Sequence, residues 1–167
     1  MEQIKQKQKD AFIQQIKLAK ELNKTLVIHS RSSNGTDDAC LDILGIIKHE
    51  LGVMNQDSPL RFVLHSYTGS PEVAKMFVDI GAYISFNGII TFDKTGNMEK
   101  VLEAVPIERI VIETDCPYLT PVPHRGKRNE PSYVRFVAEK IAGLKGVGFD
   151  EVAVITTENT RQLFFLP

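Results

Sequence analysis

The chain has 167 residues, 43% of them hydrophobic and 25% charged, which is ordinary for one soluble globular domain. Its 20 Lys and Arg balance 21 Asp and Glu, which excludes a global field drawing it to nucleic acid or to a membrane. Any polyanion must be met by a local basic patch.

The opening residues, Met1 to Lys9, are too polar for a signal peptide, and no apolar run approaches the ~18 residues of a membrane span. Cys40 and Cys116 are the only cysteines, which suits free thiols in a reducing compartment, although a single bridge stays open at this level. The expected location is the cytoplasm, without a membrane partner.

Taken in chain order, helix and strand signals alternate. Ile4, Phe12, Ile16, Ala19 and Leu22 fall on one side of a 3.6-residue period, predicting an amphipathic helix over 3–23. Strand 25–30 follows. Asp37 or Asp38 can cap a second helix with the stripe Leu41, Leu44, Ile47 and Leu51, leading to strand 61–66. Ser70-Pro71-Glu72 supplies an N-cap, a proline at the first helical position and an acid in the first turn, and Gly81 stands where a C′ glycine ends that helix. Strand 82–87, a short helix near 97–105 and strand 109–114 continue the alternation. Two C-terminal helices follow, opening at Pro131 and near Asp150. Four strands with helices between them predict parallel βα units in one α/β domain.

His29, His65 and Asp115 each stand at or just beyond the end of an apolar strand. Parallel strands gather their C-terminal ends on one face, where α/β folds build their sites. Two imidazoles and a carboxylate delivered there read as a metal site. Side chains alternate along a strand, so Val27 with His29, Val63 with His65, and Val111 with Glu113 and Asp115 share one face. That pattern suits barrel walls whose last inward residue is functional.

The segments 27–31 (Val-Ile-His-Ser-Arg), 64–69 (Leu-His-Ser-Tyr-Thr-Gly), 83–92 (Tyr-Ile-Ser-Phe-Asn-Gly-Ile-Ile-Thr-Phe), 112–121 (Ile-Glu-Thr-Asp-Cys-Pro-Tyr-Leu-Thr-Pro) and 125–131 (Arg-Gly-Lys-Arg-Asn-Glu-Pro) closely resemble, in order and spacing, the TatD family of metal-dependent deoxyribonucleases. The likeness extends to the final Thr-Glu-Asn-Thr-Arg-Gln-Leu-Phe at 157–164. It implies a (βα)8 barrel of the metal-dependent hydrolase type, of which residues 1–167 would form one partial domain, strands five to eight. The family's His-x-His pair on the first strand and bridging Glu on the fourth have no match here.

The resemblance implies that His29 and His65 belong to one metal position and Asp115 to another. Glu113, on the inward face and near the metal-bound water in the family, becomes the candidate catalytic residue, for proton handling or for support of the metal ligands from behind, with a structural salt bridge as the alternative. Arg31, Arg125, Lys127 and Arg128 become candidate phosphate-binding residues, because a guanidinium fork suits phosphate oxygens. The implied cofactors are divalent cations, Mg²⁺ first and Zn²⁺ or Mn²⁺ as alternatives. The implied substrate is DNA, cut at phosphodiester bonds by an exonuclease, with little activity expected of the chain alone. A half-barrel exposes two strand edges, so a dimer or a missing N-terminal half is an expected partner. The competing readings are a non-catalytic interaction module or truncated product, and a different phosphate-ester or amide hydrolase of the same architecture.

Three positions carry readings of their own. At Asn87-Gly88 a close approach of backbone to ligand and a tight turn weigh equally. His124 is left out of the ligand set, and His49-Glu50 is expected to face solvent on an amphipathic helix.

Overall fold

The computed structural model describes residues 2–53 and 60–167. The first helix, α1, spans Glu2–Glu21. Ile16 and Ala19 are buried and Phe12 packs against the core, whereas Ile4 and Leu22 are exposed, so the buried stripe is shorter than the sequence period suggests. β1 (Leu26–His29) follows, then α2 (Asp38–Val53). Asp37 sits at the N-cap position, but its carboxylate turns away to accept the Ser70 amide at 3.0 Å. Asp38 instead ties down the preceding loop through the Ser33 amide and hydroxyl, both at 2.9 Å, and these bonds hold its carboxyl well below the usual range.

Two expectations for α2 are corrected. Its buried stripe runs through Cys40, Leu44 and Ile47, leaving Leu41 exposed. Glu50 does not face solvent: it lies three residues beyond Ile47 on the same stripe and is buried, paired with exposed His49 at 3.3 Å.

β2 (Phe62–His65) leads to α3 (Pro71–Asp79), whose start is the expected one: the Ser70 hydroxyl accepts the Val73 amide at 3.3 Å and Pro71 opens the helix. Gly81 then takes φ +92°, the left-handed conformation that a residue with a Cβ avoids. β3 (Tyr83–Phe86), α4 (Asn97–Ala104), β4 (Ile110–Ile112), α5 (Val134–Lys145) and α6 (Phe149–Phe164) complete the chain. One-turn 3-10 segments stand at Gly88–Thr91, Ile107–Arg109 and Pro131–Tyr133, so Pro131 opens a single turn that passes into α5.

The four strands form one parallel sheet in the order β1-β2-β3-β4. A doubly wound sheet reverses its strand order at a switch point; a consecutive order is that of a barrel wall. Ile28, Phe62, Leu64, Ile84, Phe86 and Ile110 pack with α2 to α5 in the main core. On the opposite face, Val63, Tyr83 and Val111 form a small cluster closed by Leu163 of α6, while Val27 is 58% exposed. Among the described residues, β1 and β4 each pair along one edge only. No helix among them is long and apolar enough to cross a membrane, and Cys40 (buried) and Cys116 (exposed) are free thiols.

Candidate metal centre

Strand register builds the site. His29 and His65 are direct partners across β1 and β2, so parity delivers both imidazoles to the same face, with ring centroids 5.7 Å apart. After β4 the chain reaches Glu113, whose amide continues the ladder by donating to the Phe86 carbonyl at 2.9 Å. Asp115 then adopts φ +57°. A left-handed conformation in a residue with a Cβ costs energy and persists where the surroundings enforce it, a pattern typical of functional sites. Ser66, the residue after His65, shows the same feature at φ +50°.

These two turns converge through Glu113. One carboxylate oxygen accepts the Ser66 amide at 2.7 Å, and the other lies 2.7 Å from His65 Nδ1. A carboxylate accepts, so Nδ1 carries a proton, and in the neutral ring the lone pair is then on Nε2. Nε2 faces the Asp115 carboxylate at 3.6 Å. A carboxylate behind an imidazole is the usual support of a metal-ligating histidine. Asn87, buried at the end of β3, donates to the Ser66 hydroxyl at 2.8 Å and accepts the Ile89 amide at 3.1 Å. Gly88 resolves the even choice posed by the sequence: a Cβ there would lie 1.9 Å from the Leu119 carbonyl oxygen, so the close approach is by the chain's own loop.

The chemistry of the donor set suits a divalent cation, with imidazole nitrogen and carboxylate oxygen on one rim. Even so, among the described residues no group of three or more His, Cys, Asp or Glu side chains is close enough to hold an ion by itself. His29, at the outer strand, is exposed and lines a cleft of about 400 Å³ with Arg31, Lys5, Lys9 and Asp42. There Lys9 at 2.8 Å and Lys5 at 3.2 Å hold the Asp42 carboxyl below its ordinary range.

The basic segment is braced against the turn that follows Asp115. Buried Asn129 donates from its side chain to the Thr114 carbonyl at 2.8 Å and the Tyr118 carbonyl at 2.6 Å, and from its amide to the Pro117 carbonyl at 3.1 Å. The Thr120 hydroxyl donates to the Lys127 carbonyl at 2.6 Å. Arg125 is committed to the protein itself: it donates to the Thr120 carbonyl of its own loop at 2.9 Å and lies 3.8 Å over the Phe92 ring of the loop after β3. Lys127 and Arg128 are exposed, with no side-chain hydrogen bond or ion pair to the described residues. His124 stacks on Tyr133 at 4.3 Å, away from the donor set.

Sequence reasoning missed Ser66 and Asn129 as site residues and weighed Asn87 only together with Gly88. The signal available for all three was their place inside motif segments 64–69, 83–92 and 125–131.

The description TatD related DNase names the family whose model matches residues 1–165. The chain is 46% identical over 157 residues to YabD, an uncharacterized metal-dependent hydrolase of Bacillus subtilis strain 168, covering 94% of this chain and 57% of that one. It is 42% identical over 162 residues to YcfH, an uncharacterized metal-dependent hydrolase of Escherichia coli K12, covering 97% and 57%. The crystal structure of YJJV, a TatD homologue from E. coli K12, superposes with a TM-score of 0.73 at 28% identity, covering 92% of this chain and 54% of that one. The chain thus spans just over half the length of the relatives it matches.

Proposed function

The chain belongs to the TatD related DNase family, and from that premise we propose that it forms strands five to eight of a metal-dependent hydrolase barrel that cuts phosphodiester bonds in DNA from a strand end. The observation that carries this reading is the convergence of His29, His65 and Asp115 on one rim, with Glu113 bonded behind His65. The residues that would hold divalent cations, Mg²⁺ first and Zn²⁺ or Mn²⁺ as alternatives, are these three. When bound, such ions neutralise charge developing on the scissile phosphate and activate water.

The chain's own residues have separable roles in this reading. Glu113 fixes the His65 ring and keeps its proton on Nδ1, leaving Nε2 free to ligate; its carboxylate also stands ready to take a proton at the rim. Lys127 and Arg128 meet the phosphate backbone, and Arg31 meets it from the His29 side. Arg125 shapes the loop that presents them. Since a catalytic ion usually needs about three protein ligands and an open position, the remaining ligands come from a further segment, in cis or in trans, seated on the free edges of β1 and β4. A second reading, a half-barrel that binds a partner without hydrolysis, is favoured by exposed Val27 and by the lack of a three-ligand group among the described residues.

The test is nucleotide release from single-stranded DNA, with and without chelator, by the 167-residue chain and by the chain joined to an N-terminal half. Chelator-sensitive release by the joined protein, abolished in His65→Ala and Asp115→Ala, is expected. Release that survives both substitutions refutes the site assignment, and a joined protein that folds without releasing nucleotides favours the binding module.

A further inference from the structure

The most exposed large apolar side chain of the loop after β4 is Tyr118, at 72%. A lone exposed aromatic is common and needs no explanation, but the backbone of this one is fixed on both sides. Its amide donates to the Asp115 carbonyl at 2.9 Å, and its carbonyl accepts the buried Asn129 side chain at 2.6 Å. The residue is therefore anchored relative to the candidate metal centre while its ring stays in solvent. The same Asn129 follows Lys127 and Arg128, two exposed cations of this loop without partners among the described residues. One braced loop thus presents a flat aromatic ring, at the third residue after Asp115, and two positive charges further along it, just before Asn129.

We propose that Tyr118 is a stacking platform for an unpaired base of a nucleic-acid strand whose phosphates lie on Lys127 and Arg128, an inference that rests on the nuclease reading above. Single-stranded nucleic acid alternates flat bases with phosphates, and proteins that hold it without sequence preference combine aromatic rings with a basic track. A duplex keeps its bases inside the stack, where an exposed ring cannot reach their faces. Stacking also tolerates every base, because each has a π-face. Tyr118 is accordingly a positioning residue: it holds the strand so that a phosphate falls beside Asp115, and the phenol hydroxyl takes no part.

The test uses the 167-residue chain in EDTA and fluorescence anisotropy with two labelled dodecamers, a single-stranded oligothymidine and an abasic strand of the same backbone. Wild type should bind the thymidine strand about tenfold more tightly than the abasic one. Tyr118→Ala should bring the two to the same affinity, and Tyr118→Phe should keep the preference. Lys127→Ala with Arg128→Ala should weaken both strands equally and flatten the salt dependence. A preference retained in Tyr118→Ala, or equal binding of both strands by wild type, overturns the platform while leaving the nuclease reading standing. Binding of neither strand overturns the platform and counts against the nucleic-acid reading itself.

Discussion

The two faces of the one sheet are built to different ends. On the helix side, Phe62, Leu64, Ile84, Phe86 and Ile110 are all but fully buried, and every second residue of β2 and β3 faces the helix layer. On the other face, Val63, Tyr83 and Val111 are covered by Leu163 near the strand starts, and towards the strand ends the apolar row gives way to His65, Glu113 and an exposed His29. Stability is concentrated on the first face and the proposed chemistry on the rim of the second. A substitution in a strand should therefore affect folding or the proposed site according to its face, as Phe86 and Val27 test, while Asn129 and Asp93 test the loops that the sheet carries.

Phe86→Ala should have the largest effect, a loss of about 3–5 kcal/mol in urea unfolding, because it opens a cavity where the side chain is fully buried. A loss below ~1 kcal/mol would show that the core can collapse around it. Asn129→Ala comes next, at about 2 kcal/mol, since the Thr114 and Tyr118 carbonyls lose their shared donor. Its amide exchange should rise across 114–130 and leave β1 and β2 unchanged; protection unchanged in that loop would contradict the bracing role.

Asp93→Ala should cost about 1 kcal/mol near neutral pH, because the Met98 amide in the first turn of α4 and the Thr95 amide before it lose their acceptor. Burial pushes the Asp93 carboxyl up, but the amide of Met98 and the hydroxyl and amide of Thr95 outweigh it and hold the group below its ordinary range. A depressed folded pKa adds stability above the unfolded value of 3.8 and loses it as pH falls through the folded value. The difference between wild type and Asp93→Ala should therefore shrink below about pH 4. A difference that grows with acid would reverse the sign. Val27→Ala, at a position 58% exposed, should stay within about 0.5 kcal/mol in the isolated chain. A larger loss would mean that a second chain already covers this face in solution.

The same division explains what was legible in the sequence. The α3 boundary could be read because Ser70, Pro71 and Gly81 act through local backbone geometry. Strand parity could place His29 on the face of Val27 and His65 on the face of Val63, and the register of β1 and β2 makes these one face. Buried Glu50 was misread: polarity suggested solvent, whereas the helical period that also carries Ile47 placed it inward. The network around Glu113 was beyond local rules, since it depends on a positive φ at Ser66 and on a loop returning from 47 residues later in the chain. Arg125 could be counted as a basic residue, but its commitment to Phe92 and Thr120 arises only when two loops meet.

The central proposal is that His29, His65 and Asp115 belong to one divalent-cation centre, His29 and His65 at one metal position and Asp115 at the other. Isothermal titration of Mn²⁺ and Zn²⁺ into the 167-residue chain, and into the chain mixed with an N-terminal half, tests it most directly. The expected result is weak binding by the chain alone, tightened by the added half and lost in His65→Ala, with Glu113→Gln weakening it less. Affinity unchanged in His29→Ala, His65→Ala and Asp115→Ala would contradict it.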